Sequence, residues 1–191
     1  MDRRGFLKHA AQKTTRQAVE ALDARARARA RRWIRPPFAL DELEFLLTCT
    51  RCGACTTACP YDVIFSLEAK LGVDVVGTPA LDLTHKACHL CQDWPCVQAC
   101  EPKALCSPEE LEEGARLLPM LARCTIDVTA CLPYSGPECG ACAGSCPVDD
   151  VLTWQNEKPS INQELCTGCG LCRHACVLSP SAIKVATKAD S

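Results

Sequence analysis

The chain is poor in the residues that usually build a core. Only 5% of its 191 residues are aromatic and Met occurs twice, while the 48% hydrophobic fraction includes 18 cysteines and so overstates the packing material. No apolar run approaches the roughly 20 residues that cross a bilayer, so no segment is a candidate transmembrane helix. Also missing are a Ser/His/Asp arrangement, a phosphate loop and a convincing carboxylate pair, which leaves no enzyme with its own substrate site in view. His9, His85, His89 and His174 are scattered, and they suit surface or rim positions better than catalysis.

Cysteine is abundant, and its spacing is regular. Cys166, Cys169, Cys172 and Cys176 read C-x2-C-x2-C-x3-C, and so do Cys49, Cys52, Cys55 and Cys59, which Pro60 follows. Cys88, Cys91, Cys96 and Cys100 repeat the pattern with one gap widened to hold Trp94 and Pro95. Cys139, Cys142 and Cys146 supply three members of a further run, with Gly136 where the first cysteine belongs; Cys131 completes it if the intervening loop folds back. In such a run three thiolates wrap one [4Fe–4S] cluster and the fourth reaches a neighbouring one. From the spacing, the third site stays open between a full cluster and a three-cysteine site holding [3Fe–4S] or nothing.

Two other chemistries use paired cysteines. A disulfide scaffold needs bridges between distant loops, and thiols bunched within seven residues do not provide them. Structural zinc also uses C-x2-C pairs, but it rarely needs the third and fourth cysteines so close. Cys106 and Cys124 are left over and read as small buried apolar residues.

Charge is divided along the chain. Residues 1–35 hold eleven Lys/Arg against three Asp/Glu, a net of +8, and the remainder carries −10. Four thiolate-bound clusters would add about −8 to the body, so arm and body should attract. Residues 14–33 favour helix in composition, without Gly or Pro, but their arginines face several ways, giving a basic helical arm that docks on acidic surfaces or stays solvated. Without interleaved aromatics, and beside a negative body, it does not suit nucleic acid. Pro36 and Pro37 end the helix.

These features predict a basic arm over 1–35, an iron–sulfur domain over 36–186 and a tail over 187–191. The expected fold is α+β, with tandem bacterial-ferredoxin-like modules of short hairpins and helices. Leu40 to Leu47 reads as a short helix. Val151 to Gln155 and Ser160 to Ile161 read as strands around a turn, with a further edge strand over Ala182 to Val185. Pro108 to Leu121 reads as an acidic helix or insertion. The short interval from Cys146 to Cys166 favours an exchange of fourth cysteines between the third and fourth motifs.

With its motifs in order, the chain resembles the ferredoxin-type NapF, NapG and MauM proteins, over about residues 34 to 186 and the DRRGF head. The C-x7-C-x2-C-x3-C run of the third motif looks like a feature of that family and points to Cys131 as a ligand. The widened second motif and the CV ending of the fourth look like NapG; the RRGFLK head and the IRPPF segment look like NapF. The resemblance implies three to four [4Fe–4S] clusters and a redox partner, such as the NapA-like molybdenum catalytic subunit of periplasmic nitrate reductase. A NapF-like protein would act in the cytoplasm on maturation of that subunit. A NapG-like one would be exported through a twin-arginine signal to pass electrons from a quinol dehydrogenase. Likeness to the four-cluster subunits of molybdenum enzymes would instead pair the first motif with the fourth and the second with the third.

Overall fold

The computed structural model describes residues 33–106 and 118–187. Most of the basic arm and the greater part of the acidic insertion lie outside them. The described chain consists of very short elements because every motif loop interrupts the backbone within a few residues.

The first half begins with helix α1 (Glu42–Thr48), whose Phe45 is fully buried. After the first motif turns into helix α2 (Ala54–Ala58), strands β1 (Ile64–Ser66) and β2 (Pro79–Leu81) pair antiparallel, with Ile64 opposite Leu81. The second motif ends in helix α3 (Pro95–Gln98). The backbone then returns to the start of the module. Ala39 bridges Leu105, and the amides of Leu40 and Cys106 donate to Ala104 and Phe38.

The second half repeats this plan. Strand β3 (Arg123–Ile126) precedes the third motif, helix α4 (Leu132–Ser135) follows Cys131, and β4 (Leu152–Gln155) pairs with β5 (Lys158–Ile161) as a hairpin. Helix α5 (Leu171–His174) carries part of the fourth motif, and β6 (Ile183–Ala186) comes back to pair with β3. Each module is therefore an inner antiparallel pair between its two motifs and an outer pair that closes its ends.

The hairpin turn is Asn156-Glu157, both at positive φ, as a two-residue turn matched to strand twist requires. The returning strand starts at Lys158, so Pro159 lies within it. The last strand lies at an edge, as either strand of a two-stranded sheet must, and its partner is β3.

Each module has its own apolar centre. Phe45, Ile64, Leu81, Leu83, Val97 and Leu105 pack in the first, and Cys124, Val151 and Ile183 in the second. Thiols sit inside both cores, with Cys55, Cys96, Cys142, Cys166 and Cys169 all buried. Ligand side chains thus take up volume that aromatic residues fill elsewhere.

Arg35, assigned by composition to the arm, is built into the first module. Its guanidinium meets Glu42 at 2.6 Å, with both side chains more than nine-tenths buried. It also donates to Thr78 Oγ1 and the Pro79 carbonyl and lies 4.7 Å over the Phe45 ring. Ile34 bridges Leu81 beside it.

Candidate iron–sulfur centres

Two recesses of the described chain each gather four motif cysteines, three from one motif and the fourth from its neighbour. Burial raises the Cys55 thiol, and the charges of Cys100 and Cys49 add to it. Cys52, of the same motif, is exposed. Backbone and hydroxyl hydrogen bonds from Ala54 and Thr50 lower its thiol, while Glu101, next to Cys100, opposes them.

In the second group, burial pushes Cys88 up to about 12, with repulsion from Cys169, Cys91 and Cys59. Cys96 is pushed up to about 12 by burial and by Cys88, Cys59, Cys55 and Cys91. Cys59, from the first motif, therefore stands among the second motif's thiols. All four border a recess with about 360 Å³ of non-protein space, its open mouth included. Trp94 lines that recess and meets Phe38 edge-on, with ring centroids 4.9 Å apart. Tyr61 stacks on His89 at 3.6 Å on the same rim. Burial and the nearby His174 lower the His89 imidazole.

The second module crosses its motifs in the same way. Helix α4 and Gly136, at φ +117, fold residues 132–138 back, and Cys131 returns to Cys139. Burial raises Cys131, followed by the charges of Cys139 and Cys176. Cys142 is pushed up to about 11 by burial and then by Cys172, Cys131 and Cys176 among its neighbours. Cys131, Cys139, Cys142 and Cys176 border a second recess with about 370 Å³ of non-protein space, its mouth included. Burial opposes ionisation of Cys176, but the Ser181 hydroxyl and the amides of Leu178, Ala182 and Ile183 hold its thiol below the usual range.

The last group is Cys166, Cys169, Cys172 and Cys146. Burial raises Cys146, with Cys172 and Cys166 contributing, and raises Cys169, with Cys172 and Cys146 contributing. The Gly168 amide donates to Cys166 Sγ at 3.4 Å. The first motif thus exchanges with the second, and the third with the fourth. The two recesses hold Cys59 with the second motif and Cys176 with the third, which differs from an exchange of first with fourth and second with third.

Of the two unassigned thiols, Cys124 is buried as expected. Hydrogen bonds with Cys166 and Cys172, and then burial, raise its thiol, and the bond from Cys124 lowers that of Cys172. Cys106 was expected to be buried and is not; it sits half-exposed after the closing bridge, with Sγ 3.8 Å from the Lys103 carbonyl. Its place at a module end, outside the first core, explains the difference.

These groups fit iron–sulfur cubanes. Both recesses present four thiols, the soft donor set such clusters require, and elsewhere the amides of Leu105 and Gly168 donate to the sulfurs of Cys100 and Cys166. Among the described residues the buried Trp154 Nε1 has no hydrogen-bond partner. A buried unpaired donor costs on the order of 1–3 kcal/mol, so this position suits a bound acceptor. Spacing alone did not reveal Cys124, Trp154 or the amides around Cys176, because each reaches its thiols through tertiary packing.

The 4Fe-4S binding domain model matches residues 47–65 and 159–176, which hold the first and fourth motifs. The chain is 36% identical over 166 residues to the ferredoxin-type protein NapG of Haemophilus influenzae, covering 80% of this chain and 58% of that protein. It is 37% identical over 161 residues to the methylamine utilization ferredoxin-type protein MauM of Methylobacillus flagellatus, covering 80% and 67%. Against NapF of Escherichia coli it is 34% identical over 150 residues, covering 76% and 81%. No helix among the described residues is long and apolar enough to cross a membrane. With multiple [4Fe–4S] clusters as its cofactors, the chain belongs to the ferredoxin-type protein family of NapG, MauM and NapF.

Proposed function

We propose that the sixteen grouped cysteines hold four [4Fe–4S] clusters and that the chain conducts single electrons between two redox partners in the order first, second, fourth, third group. Bound clusters supply the one-electron chemistry that no side chain here provides. The chain's part is to fix spacing, exclude water and set local charge. One observation carries the order: the Cys88 amide donates to the Cys169 carbonyl at 2.8 Å, so the second and fourth groups meet where the modules join. The exchanged cysteines, Cys59 with Cys100 and Cys146 with Cys176, link the remaining steps. With Cys52 exposed, the first group offers one terminus to a partner, and the third offers the other.

The partner in this reading is the molybdenum-containing catalytic subunit of a nitrate-reducing system, or its counterpart in methylamine utilization. A second role, assisting maturation of such a subunit, follows from the likeness to NapF. Iron and sulfide analysis with EPR on anaerobically prepared protein tests the first statement, with sixteen iron atoms per chain expected from four [4Fe–4S] centres. Stopped-flow reoxidation of reduced protein by the reductase tests the second. Tight binding to cofactor-free reductase, independent of redox state and without electron transfer, would favour the maturation role.

A further inference from the structure

One side chain beside the third group carries a polar atom with no partner in the protein. Trp154 lies on β4 and lines the recess formed with Cys131, Cys139, Cys142 and Cys176, and its Nε1 is buried without a hydrogen-bond partner. An indole N–H donates and cannot accept. Apart from Trp154 and the four thiols, every side chain bordering this recess is apolar. Pro159 faces Trp154 across the hairpin, and its carbonyl already accepts from the Tyr134 hydroxyl at 2.8 Å. Sulfur is the side-chain acceptor that the recess offers.

We propose that the Trp154 indole N–H donates a hydrogen bond to a sulfur of the cluster held by Cys131, Cys139, Cys142 and Cys176 and thereby raises the reduction potential of that site. This rests on the four-cluster reading given above. A donor directed at cluster sulfur favours the reduced, more negative state. One electron is taken up, the proton stays on Nε1, and no covalent bond to the indole changes. Trp154 is a positioning and tuning residue here, not an iron ligand. Because this group ends the proposed series, a raised potential makes it the place where an incoming electron settles before leaving.

The test is an EPR-monitored redox titration of the full, cluster-loaded chain. Trp154→Phe keeps an aromatic ring and removes the donor, and the centre concerned is identified by the signal that Cys139→Ser alters. In the Phe variant that centre should be harder to reduce, by about tenfold in the reduced-to-oxidised ratio at fixed solution potential, or about 59 mV for a one-electron couple. Trp154→benzothienylalanine, which replaces the N–H with sulfur in a ring of the same outline, should shift it equally and guards against a packing defect. In wild type, deuterium exchange should remove a proton coupling at this centre that both variants lack. An unshifted potential at full iron content, or no exchangeable coupling in wild type, overturns the proposal. Wild-type protein with twelve iron atoms and no signal responding to Cys139→Ser defeats the four-cluster reading instead, and iron content separates the two failures.

Discussion

The fourth motif's Cys169 and the second motif's Cys88 share a backbone hydrogen bond of 2.8 Å across the module boundary, and two glycines make that approach possible. A Cβ on Gly168 would fall on the Ala122 carbonyl, and one on Gly170 would stand 3.0 Å from the Leu83 carbonyl; both glycines have positive φ. Arg173 adds a second tie, donating to Thr84 in one module and Ile183 in the other. Gly168→Ala should therefore destabilise the protein by roughly 2–5 kcal/mol, since backbone clash and left-handed strain combine. Gly170→Ala should cost less. Guanidinium unfolding followed by cluster absorbance measures both, and equal or reversed midpoints would contradict this packing.

The crossed thiols make a spectroscopic prediction. Cys100 follows the second motif in sequence but lies with Cys55 and Cys49, so Cys100→Ala should alter the same EPR signal as Cys52→Ala. Cys59→Ala should instead match Cys91→Ala, because Cys59 stands with Cys88, Cys91 and Cys96. Signals sorted by sequence motif would show that no exchange takes place.

The apolar spacing of Leu40, Leu43, Leu46 and Leu47 made the α1 helix legible, and the turn after Gln155 the inner hairpin of the second module, because each depends on neighbours close in sequence. Folding residues 132–138 back to return Cys131 was also readable, from its prolines and Gly136. The outer pairs were not. Ala39 with Leu105, and Arg123–Ile126 with Ile183–Ala186, join segments far apart in sequence, and strands of three or four residues show too little alternation to be recognised. Arg35 misled for a related reason: a charge among charges suggests an arm, whereas burial against Glu42 and Phe45 depends on where Pro36 and Pro37 turn the chain. Similarly, nothing local distinguishes Cys124 from a core thiol or Trp154 from an ordinary strand residue.

Removing the clusters should unfold much of the body. Five motif cysteines are buried and aromatic residues are few, so chelation of iron withdraws core contacts as well as ligands. Thiols must be deprotonated to bind metal. With Cys88 and Cys96 pushed up to about 12 when unligated, they retain their protons at neutral pH, so loading releases protons and loss of the clusters takes them up. Loading should accordingly be favoured as pH rises. Circular dichroism during anaerobic chelation, with a pH indicator in weak buffer, reads both effects. Retained secondary structure and no proton uptake would count against thiolate-held clusters as part of the core.

The Arg35–Glu42 pair gives the clearest mutational prediction outside the ligand groups. Arg35 donates through Nε and Nη2 to the two Glu42 oxygens at 2.9 and 2.6 Å, while Nη1 serves Thr78 and Pro79. Every arm of the guanidinium is engaged in a site almost closed to water. Replacing Arg35 with Ala leaves Glu42 charged and buried without its partner, at a cost of about 3–5 kcal/mol. Lysine keeps the charge but not the planar fork, so Arg35→Lys should recover only part of that loss. The double variant Arg35→Met, Glu42→Leu should be more stable than Arg35→Ala, because it removes the stranded carboxylate. Unfolding midpoints of the three cluster-loaded variants order these effects, and an Arg35→Ala loss below about 1 kcal/mol would place the pair among exposed surface ion pairs.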